Sequence, residues 1–364
     1  MIFFLFIFSF SDGEEVTDDF KCLDLDLGKR ITLFHDFENS LLPSDKEAEL
    51  KLDEGIFKGK LVPTGLTSSY ESYKSIPYAK PPIGDLRWSP PKKIEKFENE
   101  KHDGTQWAKK LCHSDLEGIE ISGEDYESLE AFDEDCLSMD IYKPSQMSKN
   151  ESGYPIMVFI HGGGFSNGFS SCYLGWNFME MEVIYIAIQY RLGMFGFMST
   201  YQIDNGIGGN YGLMDQQIAF EFIKRNAINM NGDPNRITIL GESAGGQSVA
   251  YHMLNPTSTN LFNVGISQSG AAMFDFSSQQ SNHANEAVVN LCKEMNKTKC
   301  SNPNQAIQSL REVNASKLQS KNVEMGYNNT LFPNYPIWAP VRMDGIFFKQ
   351  DAQQIVCFLL LTML

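Results

Sequence analysis

The chain has 364 residues, 42% of them hydrophobic, a length and composition that suit one large globular α/β domain. Acidic residues outnumber basic ones by 46 to 30, a formal charge of -16. That balance repels phosphate backbones, and no basic stripe offsets it locally, which excludes nucleic acid as an expected partner.

The chain begins "MIFFLFIFSFSDG", with an apolar run from Ile2 to Phe10. The run is too short to span a bilayer but suits the h-region of a secretory leader, so residues 1–11 read as a signal peptide cleaved near Asp12. Residues 12–46 are acidic and aperiodic and read as a leader segment. From Leu50, "LKLDEGIFKGKLV" alternates apolar and polar residues around Gly55, which predicts a β-hairpin. "IPYAKPPIGDLRWSPP" is too rich in proline for regular structure, and residues 103–135 read as polar loop.

Strands and helices then alternate. "YPIMVFI" (Tyr154–Ile160) is a buried strand running into "HGGGF", and "VIYIAIQY" (Val183–Tyr190) is another. "YGLMDQQIAFEFIKRN" spaces Leu213, Ile218, Phe222 and Ile223 as a helix does. "RITIL" (Arg236–Leu240) is a third strand, followed by "GESAGG" and a helix through Leu254; "NVGISQSG" reads as a fourth. This order predicts a mostly parallel sheet with helices on both faces. The closing cluster, residues 356–364, is apolar but too short for a firm membrane span.

Ser243 stands between Gly241 and Gly245 where a strand passes directly into a helix. A chain turning that sharply needs glycines where side chains would collide, and the turn presents the serine hydroxyl above the sheet. The helix start places the Ala244 N–H beside it. "HGGGF" lets consecutive main-chain N–H groups converge with no side chain in the way, as an oxyanion hole requires. The phosphate-loop signature is absent. The seven cysteines form no C-x-x-C and no His–Cys cluster, so neither a metal nor a cofactor is expected. The spacings of Cys112 with Cys136 and of Cys292 with Cys300 suit loop-closing disulfides. Sequons at Asn150, Asn296, Asn314 and Asn328 agree with export to an extracellular destination.

"EDCLSMDIYKP", "HGGGF", "QYRLGMFGF", "GNYGLMDQQIAF" and "NGDPNRITILGESAGG" follow one another in the order found in type-B carboxylesterases, and "IPYAKPPIGDLRW" and "APVRMDG" extend the resemblance over roughly residues 50–350. The resemblance implies an α/β-hydrolase fold over residues 47–355, lacking its C-terminal part. It implies Ser243 as nucleophile, Gly163, Gly164 and Ala244 as oxyanion donors, Glu242 as a neighbour that tunes the electrostatics, and Cys112–Cys136 and Cys292–Cys300 as disulfides. The implied substrate is a small carboxylic ester. Cholinesterases carry a tryptophan in the first disulfide loop; here that loop has Tyr126 and Phe132 but no Trp, which favours a general carboxylesterase. A tryptophan of the acyl pocket is replaced by Phe276 or a neighbour.

The family order places an acid and then a histidine well beyond the serine, so neither is expected within these residues. None of His35, His102, His113, His161, His252 and His283 reads as a substitute base; His252 lies about two and a half helical turns past Ser243. The chain is therefore expected to be inactive by itself. The alternative is a secreted, non-catalytic adhesion protein of the neuroligin type, which would need neither Ser243 nor "HGGGF". Oligomeric state is not legible.

Overall fold

The computed structural model describes residues 46–63, 69–97, 101–107, 111–112, 132–173, 175–200, 208–271, 281–327, 338–341 and 347. The expected signal peptide, nearly all of the acidic leader, Tyr126, Phe276, Asn328 and the apolar tail lie outside the described residues.

Among the described residues nine strands form one sheet. They are β1 (Glu47–Leu52), β2 (Gly55–Pro63), β3 (Ser69–Pro77), β4 (Lys101–Asp103), β5 (Ser138–Pro144), β6 (Tyr154–Ile160), β7 (Ile184–Ile188), β8 (Gly232–Glu242) and β9 (Val264–Gln268). Their order is β1-β2-β3-β5-β7-β6-β8-β9, with β4 beside β2. The helices are α1 (Gly193–Phe197), α2 (Tyr211–Asn226), α3 (Ala244–Leu254), α4 (Ser281–Glu294), α5 (Pro303–Arg311) and α6 (Ala315–Tyr327).

The hairpin expected around Gly55 is β1–β2, closing with Leu52 opposite Gly55. The central strands carry the expected parallel arrangement, and antiparallel strands extend the sheet on one side. From β7 through β6 and β8 to β9 it is parallel, whereas the pairings of β1 with β2, β2 with β3, β3 with β5 and β5 with β7 are antiparallel. The sheet is thus mixed, because β3 and β5 add to it without helical crossovers. Neither carries the alternation that marks a strand: "SMDIYKP" is wholly buried despite Asp140 and Lys143. Asp140 satisfies its carboxylate by accepting from the Ser75 N–H at 2.9 Å and the Ser170 hydroxyl at 2.7 Å.

Along β6 and β7 successive side chains enter two different cores, as the pleat dictates. Ile156, Val158, Ile160, Ile184, Ile186 and Ile188 pack on one face with Leu213, Phe220 and Ile223 of α2 and Val249 of α3. Phe159, Tyr185 and Ala187 pack on the other with Met179 and Phe178. Both faces are covered, which explains the unbroken apolar runs of these strands.

Candidate active site

The chain connections decide where the site lies. β6 and β8 are parallel neighbours, with Ile160 opposite Gly241. After β6 the chain runs to β7 on one side, and after β8 to β9 on the other. The carboxyl ends of β6 and β8 therefore open a crevice at a switch point of the topology, where ligands of α/β sheets bind. "HGGGF" leaves β6 and Glu242–Ser243 leaves β8 at that crevice.

Ser243 caps α3 with φ 54° and ψ -121°, a left-handed backbone unusual for a residue with a side chain. Its N–H donates to the Gln268 carbonyl at 2.9 Å and its own carbonyl accepts from Gln247 N at 2.9 Å, so β9 and α3 hold the turn from both sides. Close packing leaves no room for side chains. A β-carbon on Gly241 would sit 2.4 Å from the Gly245 carbonyl group, and one on Gly246 2.4 Å from the Gln268 oxygen.

The glycine loop meets this turn at Gly162, where a β-carbon would lie 3.1 Å from Ser243 Cβ and 3.0 Å from Glu242 Oε2. Gly163 follows with φ 103°, a conformation that L side chains rarely adopt, and Gly164 with φ 59°. The loop is pinned by Ser166 N and Asn167 N, both 3.0 Å from the Gly163 carbonyl, and by Gly193 N, 2.7 Å from Phe165 O. Among the described residues, the N–H groups of Gly163, Gly164 and Ala244 donate to no other main-chain carbonyl. Glu242 is half-buried, and loss of water raises its carboxyl above the ordinary range.

The three histidines whose side chains are described are occupied elsewhere. His161 Nδ1 donates to the Gly162 carbonyl at 2.8 Å, and the ring stacks on Tyr190. His102 packs against Phe57 and Phe97 on β4, beside β2 and far across the sheet from β8. His252 is fully buried: its Nε2 bonds Gln216 Oε1 at 2.9 Å, its Nδ1 bonds Ser258 Oγ at 3.0 Å, and burial lowers its pKa to about 3.

Sequence reasoning missed Gln268 and the Gln216–Ser248–His252 chain. Gln216 Nε2 donates to Ser248 Oγ at 3.1 Å, and Ser248 donates to Ala244 O at 2.9 Å, beside the Ser243 turn. It also missed Asn210, which exchanges two 2.7 Å hydrogen bonds with the main chain of Val341 and so joins "GNYG" to "APV". No local periodicity signals such partners. Disulfides join Cys112 to Cys136 and Cys292 to Cys300, as the resemblance implied. Asn150, Asn296 and Asn314 are all exposed.

A glycine loop and a serine elbow at the switch point of a mixed sheet define an α/β-hydrolase. The chain belongs to the carboxylesterase family, whose model matches residues 46–357. It is 40% identical over 210 residues to rat pyrethroid hydrolase Ces2e, covering 57% of this chain and 36% of that protein. It is 41% identical over 209 residues to juvenile hormone esterase of Tribolium castaneum, covering 56% and 33%. A longer match, 32% identical over 303 residues, is to rat carboxylesterase 1D, with 80% of this chain and 52% of the relative covered. The chain thus spans between about a third and about half of the relatives it matches. Among the described residues no helix is long and apolar enough to cross a membrane.

Proposed function

We propose that the protein acts in carboxylic-ester hydrolysis, with Ser243 as nucleophile. The observation that carries this is the left-handed Ser243 at the end of β8 with the glycine loop of β6 packed against it. Ser243 Oγ attacks the ester carbonyl, and the N–H groups of Gly163, Gly164 and Ala244 stabilise the oxyanion. The alcohol leaves with a proton, and water releases the acid from the acyl-enzyme. Relatives named pyrethroid hydrolase and juvenile hormone esterase support an ester substrate and favour this reading over an adhesion role. Two disulfides and exposed sequons at Asn296 and Asn314 support an exported protein.

Base and acid are assigned to none of the described residues, and losing a base lowers kcat by on the order of a million-fold. The test is fluorophosphonate labelling of this chain and of a longer product of the same locus, each with its Ser243→Ala control. Label on Ser243 in the longer product alone supports the nucleophile and an inactive short chain. Label on Ser243 in both supports activity of this chain as well. Label on neither overturns the hydrolase reading.

A further inference from the structure

On β9, Gly265 and Ser267 point to the same side of the pleat, towards α3. A β-carbon on Gly265 would lie 2.8 Å from Met253 Sδ and 3.1 Å from Val249 Cγ1, so the helix runs close over the strand. Ser267 meets the first turn of that helix. Its Oγ lies 2.8 Å from Gly246 O and 2.6 Å from Gly270 O, so one hydroxyl serves a carbonyl of α3 and a carbonyl of the chain leaving β9.

Gly270 lies directly behind the Ser243–Ala244 peptide. A β-carbon on it would sit 2.5 Å from Ser243 O and 2.3 Å from Gln247 N, the two atoms joined by the 2.9 Å bond that opens α3. The preceding peptide is held as well, by the bond from Ser243 N to Gln268 O. A trans peptide is planar, with its N–H and C=O pointing opposite ways. Whatever fixes Ser243 O therefore also fixes the direction of the Ala244 N–H.

We infer that Ser267 is a positioning residue: its hydroxyl holds Gly270 against the Ser243–Ala244 peptide and so aims the Ala244 N–H at the oxyanion. The inference rests on the ester-hydrolase reading proposed above. Ser267 bonds main-chain carbonyls and acts through them. An oxyanion donor works by being aimed, before the reaction, at the place where charge develops. Without the hydroxyl both carbonyls lose a donor, Gly270 can draw back, and the peptide can tilt. The barrier then rises while the structure around β9 persists, because the Gln268 bond and the pairing with β8 remain.

The test is the rate constant for fluorophosphonate labelling of Ser243, measured in this chain and in the longer product of the same locus. That constant belongs to each folded molecule, whereas the final extent of labelling reports how many molecules are folded. In the protein that labels, Ser267→Ala and Ser267→Cys are expected to react roughly ten-fold more slowly, a smaller effect than the loss of a whole oxyanion donor. Ser267→Thr keeps the hydroxyl and is expected to react at close to the wild-type rate. Ser267→Cys nearly keeps the size of the side chain and carries the test if Ser267→Ala fails to fold. Wild-type rate constants in Ser267→Ala and Ser267→Cys, at whatever final extent, overturn the inference alone. So does equal slowing of all three variants. Label in neither protein overturns the nucleophile reading and the inference with it.

Discussion

A β-carbon placed on Gly245 would lie 2.0 Å from the carbonyl oxygen of Ile160, so the start of α3 rests directly on the end of β6. This contact sets the distance between the Ser243 turn and the glycine loop. Gly245→Ala must separate main-chain atoms rather than a movable side chain. It is expected to destabilise the protein by on the order of 3 kcal/mol, the upper end for overpacking. Urea unfolding checks the loss, and fluorophosphonate labelling of Ser243 in a reactive longer product is expected to fall well below that of wild type.

Glu242 titrates above the ordinary carboxylate range because burial disfavours its charge. The folded protein therefore holds this proton more tightly than the unfolded chain. Its contribution to stability is complete below the unfolded chain's value of 4.5 and is lost as pH rises through the folded pKa. Glu242→Gln is expected to stabilise the protein at neutral pH and to leave it little changed in acid. Urea midpoints measured across that range give the comparison.

Arg191 binds Asp215 through two side-chain bonds of 2.7 and 2.8 Å, with the Arg191 N–H adding a third at 3.1 Å. Both residues are buried, and the pair ties the chain leaving β7 to α2. Asp215→Ala leaves a buried guanidinium without its partner and is expected to cost about 3–5 kcal/mol. Arg191→Met together with Asp215→Leu is expected to recover much of that, since desolvating two charges offsets most of their attraction. Equilibrium unfolding of the two variants decides it.

His252 stays neutral, donating from Nε2 to Gln216 Oε1 and accepting from Ser258 at Nδ1. Its pKa is lowered from 6.5 to about 3 by burial. The unfolded chain takes up this proton first, so the stability is whole above pH 6.5 and falls as pH drops towards 3. The expected slope from this residue approaches about 1.4 kcal/mol per pH unit within that window. His252→Gln is expected to flatten the slope, as read from unfolding midpoints at successive pH values.

Much of the fold was legible where burial is uniform or strictly periodic. β6, β7 and α2 announce themselves because both faces of the inner sheet are dry and one face of the helix is apolar. β3 and β5 were not legible. Their charged residues are buried on partners far along the chain, as Lys143 is on Glu71 at 2.7 Å. At the site, Ser243, Gly163, Gly164 and Ala244 were chosen from short motifs, because sharp turns tolerate few residue types.

By itself the sequence determined the residues of the elbow and the glycine loop, and the cysteines able to pair. Local backbone geometry restricts those choices, so they leave local traces. Only the tertiary structure decided that β6 and β8 lie side by side, that Gln268 holds the Ser243 main chain, and that His252 is sealed within a polar chain. Each of these depends on contacts between residues distant in sequence, and strand order and burial create them rather than any local pattern.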